Sequence, residues 1–221
     1  MNNKMKLLSF LSIIFFFHTN IISQINFEGK IVFQVSNDNE TNKISYLVKE
    51  NKIRIELKAS KDMGVMIYDS KKKIMTMLIT HRKMYMESPL DLTNKKRDKK
   101  KKTTGYFKST GKTKKIHGYT CEKFEFKNKG KKGEAWMTKD LGSFLFFRNP
   151  SQQNSPKSNW QTAITTENYF PMVVSEINSE GKPIVMFEVL EIKAQKLTKT
   201  LFEPPAGYQK FDMSKMIKGF N

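Results

Sequence analysis

From Phe27 onward, apolar and polar positions alternate with a period of two. Phe27, Gly29, Ile31, Phe33 and Val35 take odd positions, and Glu28, Lys30, Val32 and Gln34 take even ones. Side chains of a strand point alternately to its two faces, so this pattern predicts a half-buried strand. Asn37-Asp38-Asn39 has turn chemistry. Ile44, Tyr46 and Val48 form the next inward row, Glu50-Asn51 turns the chain, and Ile53, Ile55 and Leu57 alternate with Lys52, Arg54, Glu56 and Lys58. The connections are too short for crossovers, so the three strands form an antiparallel meander.

The next stretch is apolar on both faces. Residues 65–68 (VMIY), 74–79 (IMTMLI) and 84–86 (MYM) follow one another, with hairpin turns expected at 69–73 and 80–82. Such a sheet needs cover on both faces. The core covers one; the other calls for a helix, a partner or an apolar ligand. Six methionines (Met63, Met66, Met75, Met77, Met84 and Met86) fall in this region. Methionine is flexible and polarisable, and it serves equally as core fill or as the lining of a variable apolar site. The pocket candidates are Val65, Ile67, Met75, Met77, Ile79, Met84 and Met86. Alternation puts Met75 and Met77 on one face of their strand and Ile74, Thr76 and Leu78 on the other.

Residues 91–105 make a polar, lysine-rich loop. Strands resume over 113–116, 119–127 and 133–138, with Gly111 and Lys129-Gly130 marking turns. Residues 149–159 (NPSQQNSPKSN) are a surface loop, and 160–169 predict a short helix. Two strands, 172–177 and 183–192, flank the hairpin signal Asn178-Ser179-Glu180-Gly181. Pro204 and Pro205 cannot donate ladder bonds, so the chain after Phe202 should run extended along an edge or rim. The whole reads as a mainly β single domain over 24–221, with about eleven strands and two or three short helices.

Composition changes this picture in two ways. Lys4 and Lys6, the eleven-residue apolar run 7–17 and the small Ser23 before Gln24 have the layout of a secretory signal peptide over 1–23. A membrane span needs about 20 apolar residues, so no integral membrane protein is expected. The expected product is exported, periplasmic or alternatively secreted. With Gln24 rather than a cysteine directly after the leader, no N-terminal lipid site is expected. The lone Cys121 leaves no internal disulfide framework. The second change is charge. The formal net charge is +19, and it is concentrated. Residues 95–102 read KKRDKKKK, so Lys95, Lys96, Arg97, Lys99, Lys100, Lys101 and Lys102 face a single acidic residue. They are the candidate contacts to an anionic envelope surface. Nucleic acid is not an expected partner: only four arginines occur, and no aromatic residues interleave the run.

Catalytic chemistry is not signalled. His117 and Cys121 sit four apart, but structural zinc wants four ligands, and the only other histidine beyond the leader is His81. No metal or cofactor is expected. A nucleophile elbow and a phosphate-cradling glycine loop are both missing. A hydrolase using Cys121 and His117 is the weakest of the readings, and the reading adopted is non-enzymatic.

Several segments together resemble a family of exported bacterial proteins of unknown function, similar to the periplasmic lipoprotein carriers and their outer-membrane receptors (the LolA/LolB-like superfamily). They are ISYLVKENKIR (44–54), MIYDS (66–70), KMYM (83–86), KIHGYTCEK (115–123), EAWMTKDLG (134–142), YFPM (169–172) and LFEPPAGY (201–208). The resemblance implies a strongly curved antiparallel sheet, an incomplete barrel, whose concave face holds acyl chains or other apolar matter. The expected function is that of a binding or carrier protein for a lipid-like ligand. The alternative is an interaction module without a small ligand, docking on an anionic surface or a partner protein through the basic 95–132 region.

Overall fold

The computed structural model describes residues 27–36, 40–58, 63–90, 105–128, 130–142, 144–145, 164 and 168–211. The expected signal peptide, the lysine-rich run 95–102 and most of the helix expected over 160–169 lie outside the described residues. Twelve strands are present among the described residues: β1 (Gly29–Ser36), β2 (Thr41–Lys49), β3 (Lys52–Lys58), β4 (Met63–Asp69), β5 (Ile74–Ile79), β6 (Met84–Pro89), β7 (Gly105–Ile116), β8 (Tyr119–Asn128), β9 (Lys131–Thr138), β10 (Phe170–Ile177), β11 (Pro183–Ala194) and β12 (Gln209–Lys210). They form one open, curved sheet in the order β12-β6-β5-β4-β3-β2-β1-β11-β10-β9-β8-β7. Every pairing is antiparallel except the short β12–β6 pair. Among the described residues, no helix is long and apolar enough to cross a membrane.

The meander read from alternation is present and runs on through β6. Two features differ from the sequence reading. β7 begins at Gly105, well before the expected 113. Its residues are mostly exposed and lysine-rich, so it carries little apolar alternation to detect. Gly111 does not turn the chain: with φ at 71° it sits in an interruption of the β7–β8 register between Ser109 and Thr113. The turn is His117-Gly118, both at positive φ, a two-residue connection matched to strand twist. At the C-terminus, Lys199–Phe202 forms a single 3-10 turn. After the prolines the chain runs along the β6 edge, as expected, and Gln209 and Phe211 donate to the carbonyls of Lys83 and Tyr85.

Curvature follows from four register shifts, in the β1–β11, β10–β11, β9–β10 and β7–β8 ladders, since an unpaired extra residue bends its strand. The inner face buries Ile31, Phe33, Ile44, Tyr46 and Ile55 against Phe124, Phe126, Ala135, Met137, Phe170, Met172, Val174, Phe187 and Val189. Phe144, from the connection after β9, plugs the concavity. Its ring lies 4.9–5.4 Å from those of Phe33, Tyr46, Phe170 and Phe187. The Tyr46 hydroxyl accepts the Leu145 N–H at 3.3 Å, and burial pushes its pKa well above the usual tyrosine range.

Glu28 pins the C-terminal arm to the start of β1. Its carboxylate accepts the Leu197 N–H at 2.7 Å and Lys49 Nζ at 2.7 Å, with Lys196 Nζ at 3.6 Å. The Leu197 hydrogen bond, then Lys49, lowers its pKa from 4.5 to about 2. A lowered carboxylate pKa stabilises the fold fully above the ordinary value, and the contribution fades as pH falls through the folded one. Glu28→Gln should therefore lower the urea midpoint at pH 7, and the deficit against wild type should shrink between pH 4.5 and about 2. A deficit independent of pH across that window would refute the ionic latch.

Candidate functional site

Cross-strand partners share a face, so the registers sort the doubly apolar strands. Ile31, Tyr46, Ile55, Met66, Met77 and Met86 form one lateral row on the inner face. Ile44, Leu57, Gly64, Ile79 and Met84 form the row beside it, and Val48, Ile53, Tyr68 and Met75 a third. Leu47, Ile67 and Thr76, with Val65, Leu78 and Tyr85, point to the outer face.

The two faces are closed differently. On the outer face, Phe202 is buried with Leu47, Val65, Ile67 and Leu78, and Leu197, Leu201, Tyr85 and Tyr208 pack around them. Arg54 ties this cover down by donating from Nη1 to the Leu201 carbonyl at 2.8 Å, while its Nε holds Glu56 at 2.6 Å. The chain's own C-terminal segment thus supplies the cover that the sequence reading assigned to a helix, partner or ligand. The pocket candidates Val65 and Ile67, 1% and 3% exposed, lie packed under that segment, on the opposite face from the other five.

Inner-face cover ends part-way along. In the first row Ile31, Tyr46 and Ile55 are buried, Met66 is partly exposed, Met77 is 42% exposed and Met86 is again partly exposed. Met75, Ile79 and Met84 are partly exposed beside them. A side chain at Gly64 would meet nothing within 4 Å, so the floor opens between Leu57 and Ile79. Five of the seven sequence candidates (Met75, Met77, Ile79, Met84 and Met86) therefore share this surface. Met66 and Gly64 belong with them. Neither could be placed before the hairpin registers were known, because a one-residue slip exchanges the faces.

The other candidates are not brought together. His117 Nε2 lies 2.9 Å from the Val189 carbonyl, which can only accept, so Nε2 carries the proton. That carbonyl belongs to the stretch where β11 shifts register against β1. Cys121 is fully buried, its Sγ donates to the Tyr119 carbonyl at 3.4 Å, and burial pushes the thiol up. No three His, Cys, Asp or Glu side chains gather around a metal position among the described residues. A shallow cleft of about 290 Å³ lies among Thr113, Thr120, Glu122, Lys139, Asp140 and Tyr169. There the Tyr169 hydroxyl donates to Glu122 at 3.1 Å, and Ser109 donates to the same carboxylate.

A family model described as a domain of unknown function (DUF4412) matches residues 27–208. No curated protein matches the chain. Among solved structures, an uncharacterized conserved protein from Thermus thermophilus is similar at 12% identity and a TM-score of 0.48, over 84% of this chain and 90% of that one. Two crystal forms of PNGF-II are similar at 16% and 17% identity, each with a TM-score of 0.45, over 86% and 87% of this chain. The match covers 32% of the PNGF-II chain.

Proposed function

This chain belongs to the DUF4412 family, a domain of unknown function, and we propose that it is a non-enzymatic binding or carrier protein holding a lipid or acyl-chain ligand against the inner face of its sheet. The observation that carries this reading is the lateral row Ile55, Met66, Met77, Met86, where burial gives way to 42% exposure at Met77 without a change to polar chemistry. An acyl chain laid along that row would extend the core outward. Covering the part of each methionine that remains exposed contributes a fraction of the about 1.5–3 kcal/mol that complete burial of such a side chain gives. Flexible thioethers adapt to chains of differing length and saturation. The leader-like segment 1–23 supports a role in the periplasm, or alternatively outside the cell. The resemblance to the LolA/LolB-like carriers agrees with a concave apolar site.

Native mass spectrometry of residues 24–221 purified gently from a bacterial envelope, with lipid extraction of the same sample, tests the proposal. A stoichiometric apolar adduct is expected. Met77→Lys with Met86→Lys should abolish it at a cost in stability of about 1 kcal/mol, because the two positions face each other on paired strands and would set like charges directly opposite. A clean apo mass, or an adduct that survives the double substitution, would overturn the reading.

A further inference from the structure

The outer face of β7, β8 and β9 carries a second surface of different chemistry. Register places Tyr106, Lys108, Lys114, Lys123, Lys127, Lys132 and Trp136 there together, with Glu125 and Glu134 as the acidic members. We propose that this face docks on a bilayer surface carrying anionic phospholipid head groups. The proposal is independent of the apolar ligand, which would lie on the opposite face of other strands.

Three observations support a bilayer over a shaped protein partner. First, the charges are spread rather than convergent. Neighbouring strands lie about 4.8 Å apart, so lysines on three adjacent strands form a broad sheet of charge. Second, every cation on this face is lysine. An ammonium is a point charge suited to diffuse attraction, whereas bidentate recognition of a defined carboxylate favours arginine. Third, aromatic rings are interleaved with the lysines. Lys114 Nζ lies 4.2 Å and Lys123 Nζ 5.9 Å from the Trp136 ring, and Lys108 Nζ lies 5.3 Å from Tyr106, itself 40% exposed. Tryptophan and tyrosine partition to the head-group level of membranes.

The face also lies at a sheet terminus, since β7 is the last strand in the order. Lysines along an edge strand discourage pairing with another chain. That role accounts for charge on β7. It does not account for Lys123, Lys127 and Lys132 on β8 and β9, which have strand neighbours on both sides.

The test is co-sedimentation of residues 24–221 with phosphatidylcholine vesicles made with or without phosphatidylglycerol. Each lysine near an anionic surface contributes about 1 kcal/mol, close to fivefold in affinity. Lys108→Gln, Lys114→Gln and Lys132→Gln together should weaken binding to the anionic vesicles about a hundredfold. These positions are exposed, so circular dichroism and the urea midpoint should match wild type. Binding should also fall at ~1 M salt, where the screening length drops to about 3 Å. Wild type and variant both retain the lysine run 95–102, so their difference reads this face alone. Failure of wild type to bind, equal binding to neutral vesicles, or a triple variant that binds like wild type would each overturn the proposal. So would binding to soluble polyglutamate without binding to vesicles, which would assign the face to an acidic protein.

Discussion

Phe144→Ala should lower the free energy of unfolding by about 3–5 kcal/mol, the range for removing a buried phenylalanine from a packed core. The position belongs in the upper part of that range for a geometric reason. Phe144 is 1% exposed and touches four other aromatic rings, from β1, β2, β10 and β11. Three of those contacts are edge-on or nearly so, with interplanar angles of 71–76°, an arrangement that adds to simple area burial. The strands that supply the rings are held by the ladder and cannot collapse into the space left behind. The cavity term therefore adds to the lost transfer energy. Urea unfolding followed by tryptophan fluorescence and by circular dichroism would measure the loss. A change below about 1 kcal/mol would mean that the inner face is closed by something other than this ring. The same residue sets a boundary for ligand binding. Phe144 plugs the concavity over β1, β2, β10 and β11, and the methionine surface of β4–β6 begins beyond the rings it touches.

The sequence pattern was informative where one face of a strand is apolar and the other polar. Ile31, Phe33, Ile44, Tyr46 and Ile55 are all buried, as alternation required. It was silent where both faces are apolar. Val65 and Ile67 look no different in the sequence from Met75 and Met77. Only the pairing Val65 with Leu78, and Met66 with Met77, shows that the first pair faces Phe202 and the methionines face inward. Register depends on the turns: Asp69 Oδ1 accepts Asn51 Nδ2 at 2.7 Å and the N–H groups of Lys71 and Lys72 at 3.0 and 2.9 Å, so two adjacent turns are fixed by one carboxylate. The first part of β7, from Gly105, was missed for the opposite reason. An edge strand that buries little has no core pattern to display, and its lysines resemble those of a loop. The cover of the outer face was also hidden, because Phe202 reaches it from more than a hundred residues beyond the strands it protects. Long-range burial of that kind leaves no local period.

Phe202→Ala should cost a similar amount, about 3–5 kcal/mol, and it separates the two apolar faces experimentally. Phe202 is the buried centre of the outer cluster, and the groups that flank it are weaker holds. Lys52 reaches Glu203 only at 3.7 Å with the carboxylate 57% exposed, a surface pair worth little. The Arg54 bond to the Leu201 carbonyl and the Glu28 latch remain in the variant, so the arm should loosen locally while the meander persists. Limited proteolysis should then cut within 195–211 faster than in wild type, in step with a lower urea midpoint. Unchanged cleavage and an unchanged midpoint would mean that the arm does not hold the outer face closed. The variant also discriminates between sites for an apolar ligand. If the ligand lies on the inner methionine row, Phe202→Ala leaves its stoichiometry intact, because Met66, Met77 and Met86 face away from the arm. If instead the ligand enters beneath the arm, among Val65, Ile67 and Leu78, then loosening the arm changes its occupancy while Met77→Lys with Met86→Lys does not. Opposite responses of one adduct to Phe202→Ala in the arm and to Met77→Lys with Met86→Lys on β5 and β6 would therefore decide which face carries the function.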